Sequence, residues 1–345
     1  MWLFIAAACL IQEVTVSEGL ITNRHLNPQE FMTIGEIIQY WGYCNEEYEI
    51  LTEDGYYLQI NRIPYGIHSP GKKGPKPAVL LVHGLMMEGR LWLANLPRNS
   101  LGFVLADAGY DVWILNIRGS TWSRRHQTLS IDQEKFWDFS FHEMGIYDIP
   151  AAINFILRKT QQEGLYYIGF SQGGTIGFIS FSTMPDLAQK VKLFITLSPG
   201  YSLTNSSGLL FGVVLIPEGV RKSRADVYLG IYPDFTSVKT ISHWGQIAIS
   251  NEFKYFDYGS KNRDIYNMNT PPFYRIEDMT VPTAVWSAGE DIAVDETDTE
   301  LLLPRIRNLI FYKNIPDWQH MDYVWGLDAP QCLYPDILGL MQKYK

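Results

Sequence analysis

The sequence predicts an α/β fold: a mostly parallel central sheet, helices on both faces, and a cap inserted late in the chain. Three observations point there. From residue 78 onward, short β-branched and aromatic runs alternate with helix-period segments, the rhythm of a covered parallel sheet. The rhythm breaks between 199 and 278 and then resumes. One apolar run, 165–168, passes through the turn "GFSQG" directly into a helical pattern over 172–183.

Taken in order, the chain opens with "MWLFIAAACLI", an apolar run of about eleven residues that is too short to span a bilayer. We expect a signal peptide over 1–19, with small residues at 17–19 as cleavage candidates. No Lys or Arg precedes the run, so a buried N-terminal helix stays open as the alternative. A helix is expected over 28–40, then a hairpin turning at Asp54-Gly55, then a polar Pro/Gly loop over 69–77. Strands follow at 78–82, 111–115, 165–168 and 192–197, with helices near 101–108, 148–159 and 172–183 between them. After the break come a strand at 281–286, a helix near 297–303, a strand at 309–315 and a last helix near 330–343. The α/β core is therefore expected over 20–198 and 279–345, with the cap over 199–278, near the carboxyl ends of the strands.

Composition narrows the function. Hydrophobic residues at 46% in 345 residues supply a full core and leave room for the cap. A net charge of −9 argues against a nucleic-acid partner, and none is expected. No metal-ligand spacing occurs, and neither a metal nor a cofactor is expected. Of the three cysteines, Cys9 would leave with the leader, and a Cys44–Cys332 bridge stays open. Asn205-Ser206-Ser207 is a glycosylation candidate on a surface loop.

With 28 glycines in the chain, chance supplies a bare Gly-x-Ser-x-Gly often enough that context must decide. Here the context is strand, tight turn, helix: the nucleophile elbow of an α/β-hydrolase. Gly169 and Gly173 permit the sharp turn and the close packing of its neighbours, and Ser171 is the candidate nucleophile. A serine hydroxyl needs a base held by a third group, and this fold supplies them in the order Ser, acid, His. Of seven histidines only His243 and His320 follow Ser171. His320 directly follows a strand and precedes the last helix, so it is the candidate base, with His243 second. Asp291 stands nearest the end of the strand before it and is the preferred acid. Asp295 and Asp298 suit the start of the next helix, though they and Glu290 stay open. Two backbone N–H groups should meet the developing oxyanion. The expected donors are Gln172, after the nucleophile, and Leu85, in the "HGLMMEG" loop after the first parallel strand, with His83 and Gly84 shaping that loop.

With these residues in place the chain resembles the acid lipase family of gastric, lysosomal and epidermal lipases. Nearly the whole length takes part, through "YWGYCNEEYEILTEDGYYLQINRIPYG", "HGLMMEGRLW", "LADAGYDVWILNIRGSTWSRRH", "GFSQG", "SRADVYLG" and "HMDYVWGLDAPQ". The resemblance implies that Ser171, Asp291 and His320 form the triad and that Leu85 and Gln172 supply the oxyanion hole. It further implies a lipid ester substrate, an acylglycerol or sterol ester met at a lipid–water interface, and a secreted or lysosomal location. Three departures stand out. Phe170 precedes the nucleophile where the family usually has His, which predicts altered packing beneath the elbow. The paired cap cysteines of the family are absent. The segment between Pro199 and Arg224, where relatives carry the lid and much of the acyl pocket, is much shorter and holds the apolar run 209–216. A shortened lid predicts a shift towards shorter or more soluble esters. The alternative is a catalytically impaired, lipid-binding scaffold.

Overall fold

The computed structural model describes residues 27–68, 74–206 and 224–345. The expected leader, the apolar run 209–216 and Ser207 of the sequon lie outside the described residues. Nine strands form one sheet: β1 (Glu46–Leu51), β2 (Tyr56–Ile63), β3 (Ala78–Val82), β4 (Asp111–Leu115), the short β5 (Arg125–His126), β6 (Leu165–Phe170), β7 (Val191–Leu197), β8 (Thr283–Ala288) and β9 (Leu309–Ile315). Their order is β1-β2-β4-β3-β6-β7-β8-β9, with β5 beside β2. Strands β4 to β9 along this path are parallel, and the β1–β2 hairpin joins antiparallel at one edge.

β3 and β6 are buried along their whole length, which explains why they read as unbroken apolar runs rather than alternating ones. Ile168, Phe170, Leu197 and Trp286 pack on one face, and Tyr167, Phe194, Val285 and the helix residues Ile176 and Ile179 on the other. Each buried Leu, Ile or Phe contributes roughly 1.5–3 kcal/mol of transfer free energy, so the two layers hold the sheet flat against its helices.

Two expected helices are divided. Residues 28–40 form a 3₁₀ turn, Pro28–Phe31, and a separate helix, Ile34–Tyr40, because Thr33 and Glu36 build a reciprocal capping box that starts a helix there. The last helix is broken into Ala329–Cys332 and Tyr334–Lys343, since Pro335 lacks the N–H a continuous helix would need. Within the expected cap region, the structure shows helices Ala225–Leu229, Val238–Ser250 and Asn262–Tyr266. Arg90 ties this region to the core, donating to the carbonyls of Gly230 (2.7 Å), Glu30 (3.0 Å) and Met32 (3.2 Å). Cys44 and Cys332 are both free thiols, so the bridge left open by the sequence is not formed.

The tightest backbone approach lies at the end of β3. A Cβ on Gly173 would stand 2.3 Å from the Val82 carbonyl oxygen and 2.8 Å from that of His83. By contrast, a Cβ on Gly339, exposed in the last helix, meets nothing within 4 Å. Gly173→Ala is expected to cost at least about 3 kcal/mol, because backbone rather than a yielding side chain must move. Gly339→Ala should instead stabilise by about 0.5–1 kcal/mol. Denaturant melts of the two variants check both signs.

Candidate active site

Five consecutive parallel strands, β3, β6, β7, β8 and β9, release their loops at one carboxyl edge, and the expected site residues all leave from those ends. Ser171 stands between β6 and the helix Gln172–Thr183 with φ 53° and ψ −123°. That conformation costs a non-glycine residue on the order of 1–3 kcal/mol, and it persists because the surroundings fix it. The Ser171 N–H donates to the Leu197 carbonyl at 2.9 Å, its own carbonyl accepts from Gly174 at 2.9 Å, and the Tyr167 hydroxyl holds the Gly173 carbonyl at 2.7 Å. The turn throws the hydroxyl off the strand, beside a helix N-terminus whose first N–H groups have no intrahelical acceptor.

The loop after β3 closes on the elbow from the other side. A Cβ on Gly84 would lie 3.0 Å from the Ser171 Cβ, so a side chain there would crowd the elbow. His83 anchors it. The buried imidazole accepts from the Ile117 N–H at Nε2 (3.1 Å), which leaves the proton on Nδ1 to donate to the Gly84 carbonyl (3.0 Å). Burial pushes its pKa down to about 4, so it remains neutral. Met86, also left-handed at φ 54°, accepts from the Asp234 N–H at 2.6 Å, which joins the loop to the cap region. Leu85 and Gln172, the expected oxyanion donors, thus follow directly on Gly84 and Ser171.

Two partners of Gln172 were not read from the sequence. Trp244, on the helix Val238–Ser250, donates its indole N–H to Gln172 Oε1 at 2.7 Å, and the Met144 sulfur lies 3.5 Å from Nε2. Met144 opens a π-helical turn, Met144–Asp148, ahead of the helix Ile149–Thr160. No local pattern announces either contact, because both depend on where the cap and that turn pack.

Asp291 and His320 meet. His320 Nδ1 donates to Asp291 Oδ2 at 2.8 Å, and both side chains are almost fully buried. The other carboxylate oxygen, Oδ1, accepts from the backbone N–H groups of Ala293 and Val294, each at 2.9 Å. With its proton on Nδ1, His320 keeps Nε2 as an acceptor. Phe170 packs against the imidazole with ring centres 4.9 Å apart and reaches Tyr323 at 6.1 Å. The residue before Ser171 therefore packs against the imidazole.

The competing candidates lie elsewhere. His243 stacks on Phe141 at 3.9 Å and contacts the Lys254 carbonyl at 2.9 Å, and burial pushes its pKa down to about 3. Asp295 caps the helix Glu296–Leu302 through the Thr297 N–H. Asp298 is buried and accepts from Ser202, Ser206 and the Asn205 side chain, the sequon asparagine, at 3.0–3.1 Å. Among the described residues no helix is long and apolar enough to cross a membrane.

Residues 34–96 match the family described as a partial alpha/beta-hydrolase lipase region, and residues 77–227 match the alpha/beta hydrolase fold. Lipase member M of Homo sapiens is 44% identical over 394 aligned residues, covering 99% of this chain and 93% of its own length. The lysosomal acid lipase/cholesteryl ester hydrolase of Homo sapiens is 44% identical, with 93% of each chain covered. Gastric triacylglycerol lipase of Homo sapiens is 41% identical with complete coverage of both. Among solved structures, a naproxen esterase from Bacillus subtilis superposes with a TM-score of 0.55 at 14% identity, covering 94% of this chain and 100% of that one. An esterase from Pyrococcus furiosus gives 0.52 at 15%, covering 89% and 94%. At that identity the likeness is one of fold.

The His83 geometry carries a pH dependence. Its folded pKa, about 4, lies below the unfolded value near 6.5, so the unfolded chain takes up the proton first. Its contribution is fully present above pH 6.5 and is lost as pH falls from there towards 4. At pH 5 the loss should be about 2 kcal/mol relative to pH 7.5. Urea melts at those two values should differ by about that much less in His83→Gln than in the parent.

Proposed function

This chain belongs to the acid lipase family of α/β-hydrolases, and from that premise we propose that it is a serine ester hydrolase that cleaves acylglycerols or sterol esters through an acyl-enzyme. The observation that carries the reading is the Asp291–His320 hydrogen bond at 2.8 Å, on the same sheet edge that raises Ser171 in a left-handed turn. Ser171 Oγ attacks the ester carbonyl while His320 Nε2 takes its proton. The N–H groups of Leu85 and Gln172 receive the oxyanion, and Asp291 stabilises the imidazolium. His320 then protonates the departing alcohol and activates the water that hydrolyses the acyl-enzyme.

The relatives' names, a triacylglycerol lipase and a cholesteryl ester hydrolase, support this substrate class. The chain has 345 residues where its alignment to lipase member M needs 394, so that relative carries residues with no counterpart here. Together with the short stretch between Pro199 and Arg224, this supports a reduced lid and a preference for shorter or more soluble esters. Delivery through the secretory route, to the outside or to the lysosome, is the matching location.

Hydrolysis of p-nitrophenyl esters from short to long chains tests the reading. Ser171→Ala should lower kcat by about 10³-fold or more. Short esters should be preferred, and emulsified long-chain substrate should bring no rise in rate. Strong, interface-dependent cleavage of long-chain emulsions would sink the substrate claim. A folded parent inactive on every ester would leave the lipid-binding scaffold.

A further inference from the structure

Six non-glycine residues among those described have a left-handed backbone. Three of them, Gln161, Asn251 and Asn267, stand at helix C-termini, where that conformation is the usual way to end a helix. The other three cluster at the carboxyl edge of the sheet: Met86 in the loop after β3, Ser171 after β6, and Ser198 after β7. Met86 and Ser171 belong to machinery already described. Ser198, at φ 46°, is completely buried and has no such role.

Its surroundings are specific. The Ser198 N–H donates to the Trp286 carbonyl at 2.9 Å, which pins the end of β7 to β8. Its hydroxyl donates to Asp291 Oδ2 at 2.5 Å, the same oxygen that receives His320 Nδ1 at 2.8 Å. We propose that Ser198 is a positioning residue of the hydrolytic site, its hydroxyl clamping the one carboxylate oxygen that orients His320. The proposal rests on the triad reading above.

The physical case has two parts. Two backbone N–H groups on Oδ1 and two donors on Oδ2 leave the carboxylate no rotational freedom, so the plane in which His320 must lie is set before substrate arrives. The hydroxyl also draws off part of the charge on Oδ2, which tempers the hold of Asp291 on a protonated imidazole. Backbone strain argues the same way. Glycine would occupy φ 46° without cost, so the serine here retains an unfavourable conformation together with a hydrogen bond that glycine lacks.

Ser198→Ala removes the hydroxyl and keeps the strain, whereas Ser198→Gly removes both, so at least one variant folds without an added backbone cost. With the hydroxyl gone, Asp291 grips the imidazolium more tightly and protonation of His320 sets in at higher pH. The acid limb of kcat/KM on p-nitrophenyl butyrate should move up by about 0.5–1 pH unit in both variants, with KM little changed. The low-field proton resonance of His320 Nδ1–H in the intact chain provides a second readout that needs no turnover, and it should shift in both variants. An acid limb and a resonance that both stay at parental values overturn the proposal, even where the melting temperature falls. A parent inactive on every ester removes the triad reading, yet a shifted resonance would still establish the clamp and an unshifted one would reject it.

Discussion

Everything at the carboxyl edge depends on backbone meeting backbone where no side chain fits. Gly173 lies over the carbonyls of Val82 and His83, Gly169 faces Gly173 itself, and Gly84 rests on the Cβ of Ser171. These contacts join the ends of β3 and β6 closely enough that the loop after one forms a wall of the turn after the other. A methyl group on Gly173 or Gly84 would push the loop after β3 away from the turn after β6, and with it the expected donor Leu85 away from Gln172. The glycines thus do more than permit a turn: they set the distance between the two expected halves of an oxyanion hole.

Around that contact, electrostatics divides labour among groups that look alike in the sequence. His83, His243 and His320 are all buried, yet only His320 faces a carboxylate through a side-chain hydrogen bond at this edge. His83 is held neutral and spends both nitrogens on backbone, which makes it a brace for the loop. Asp148 is a useful contrast to Asp291. It is equally buried and pairs with Arg118, which also reaches Asp54 in the hairpin turn, and burial still pushes its pKa up to about 6. An ion pair of that kind ties the hairpin to the helix Ile149–Thr160, whereas Asp291 has an imidazole, a hydroxyl and two backbone donors and so can support a charge that comes and goes.

Much of this was legible in the sequence because the signals are local. β3, β4 and β9 and the helix Gln172–Thr183 have the expected bounds, since apolar runs and a glycine-framed turn declare themselves within a few residues. His320 was preferred over His243 as the expected base because it follows a strand and precedes the last helix, again a local signal. Lateral order in the sheet is different: nothing near Ser198 says that β7 lies beside β8, so nothing says that its hydroxyl meets Asp291. The same holds for Trp244, separated from Gln172 by 72 positions. The contacts of Ser198 and Trp244 across strands and layers were invisible, and the helix Val238–Ser250 that carries Trp244 was read only as part of a cap.

That distinction bears on what a reduced cap can remove. Trp244 comes from the cap region and donates to the side chain of Gln172, whose backbone N–H is an expected oxyanion donor. Asp234, also from the cap region, donates its N–H to the Met86 carbonyl and grips Thr121 through its carboxylate. Both halves of the expected oxyanion hole are therefore braced by residues that lie after Arg224, beyond the stretch expected to be shortened. A loss confined to the residues before Arg224 leaves these braces in place.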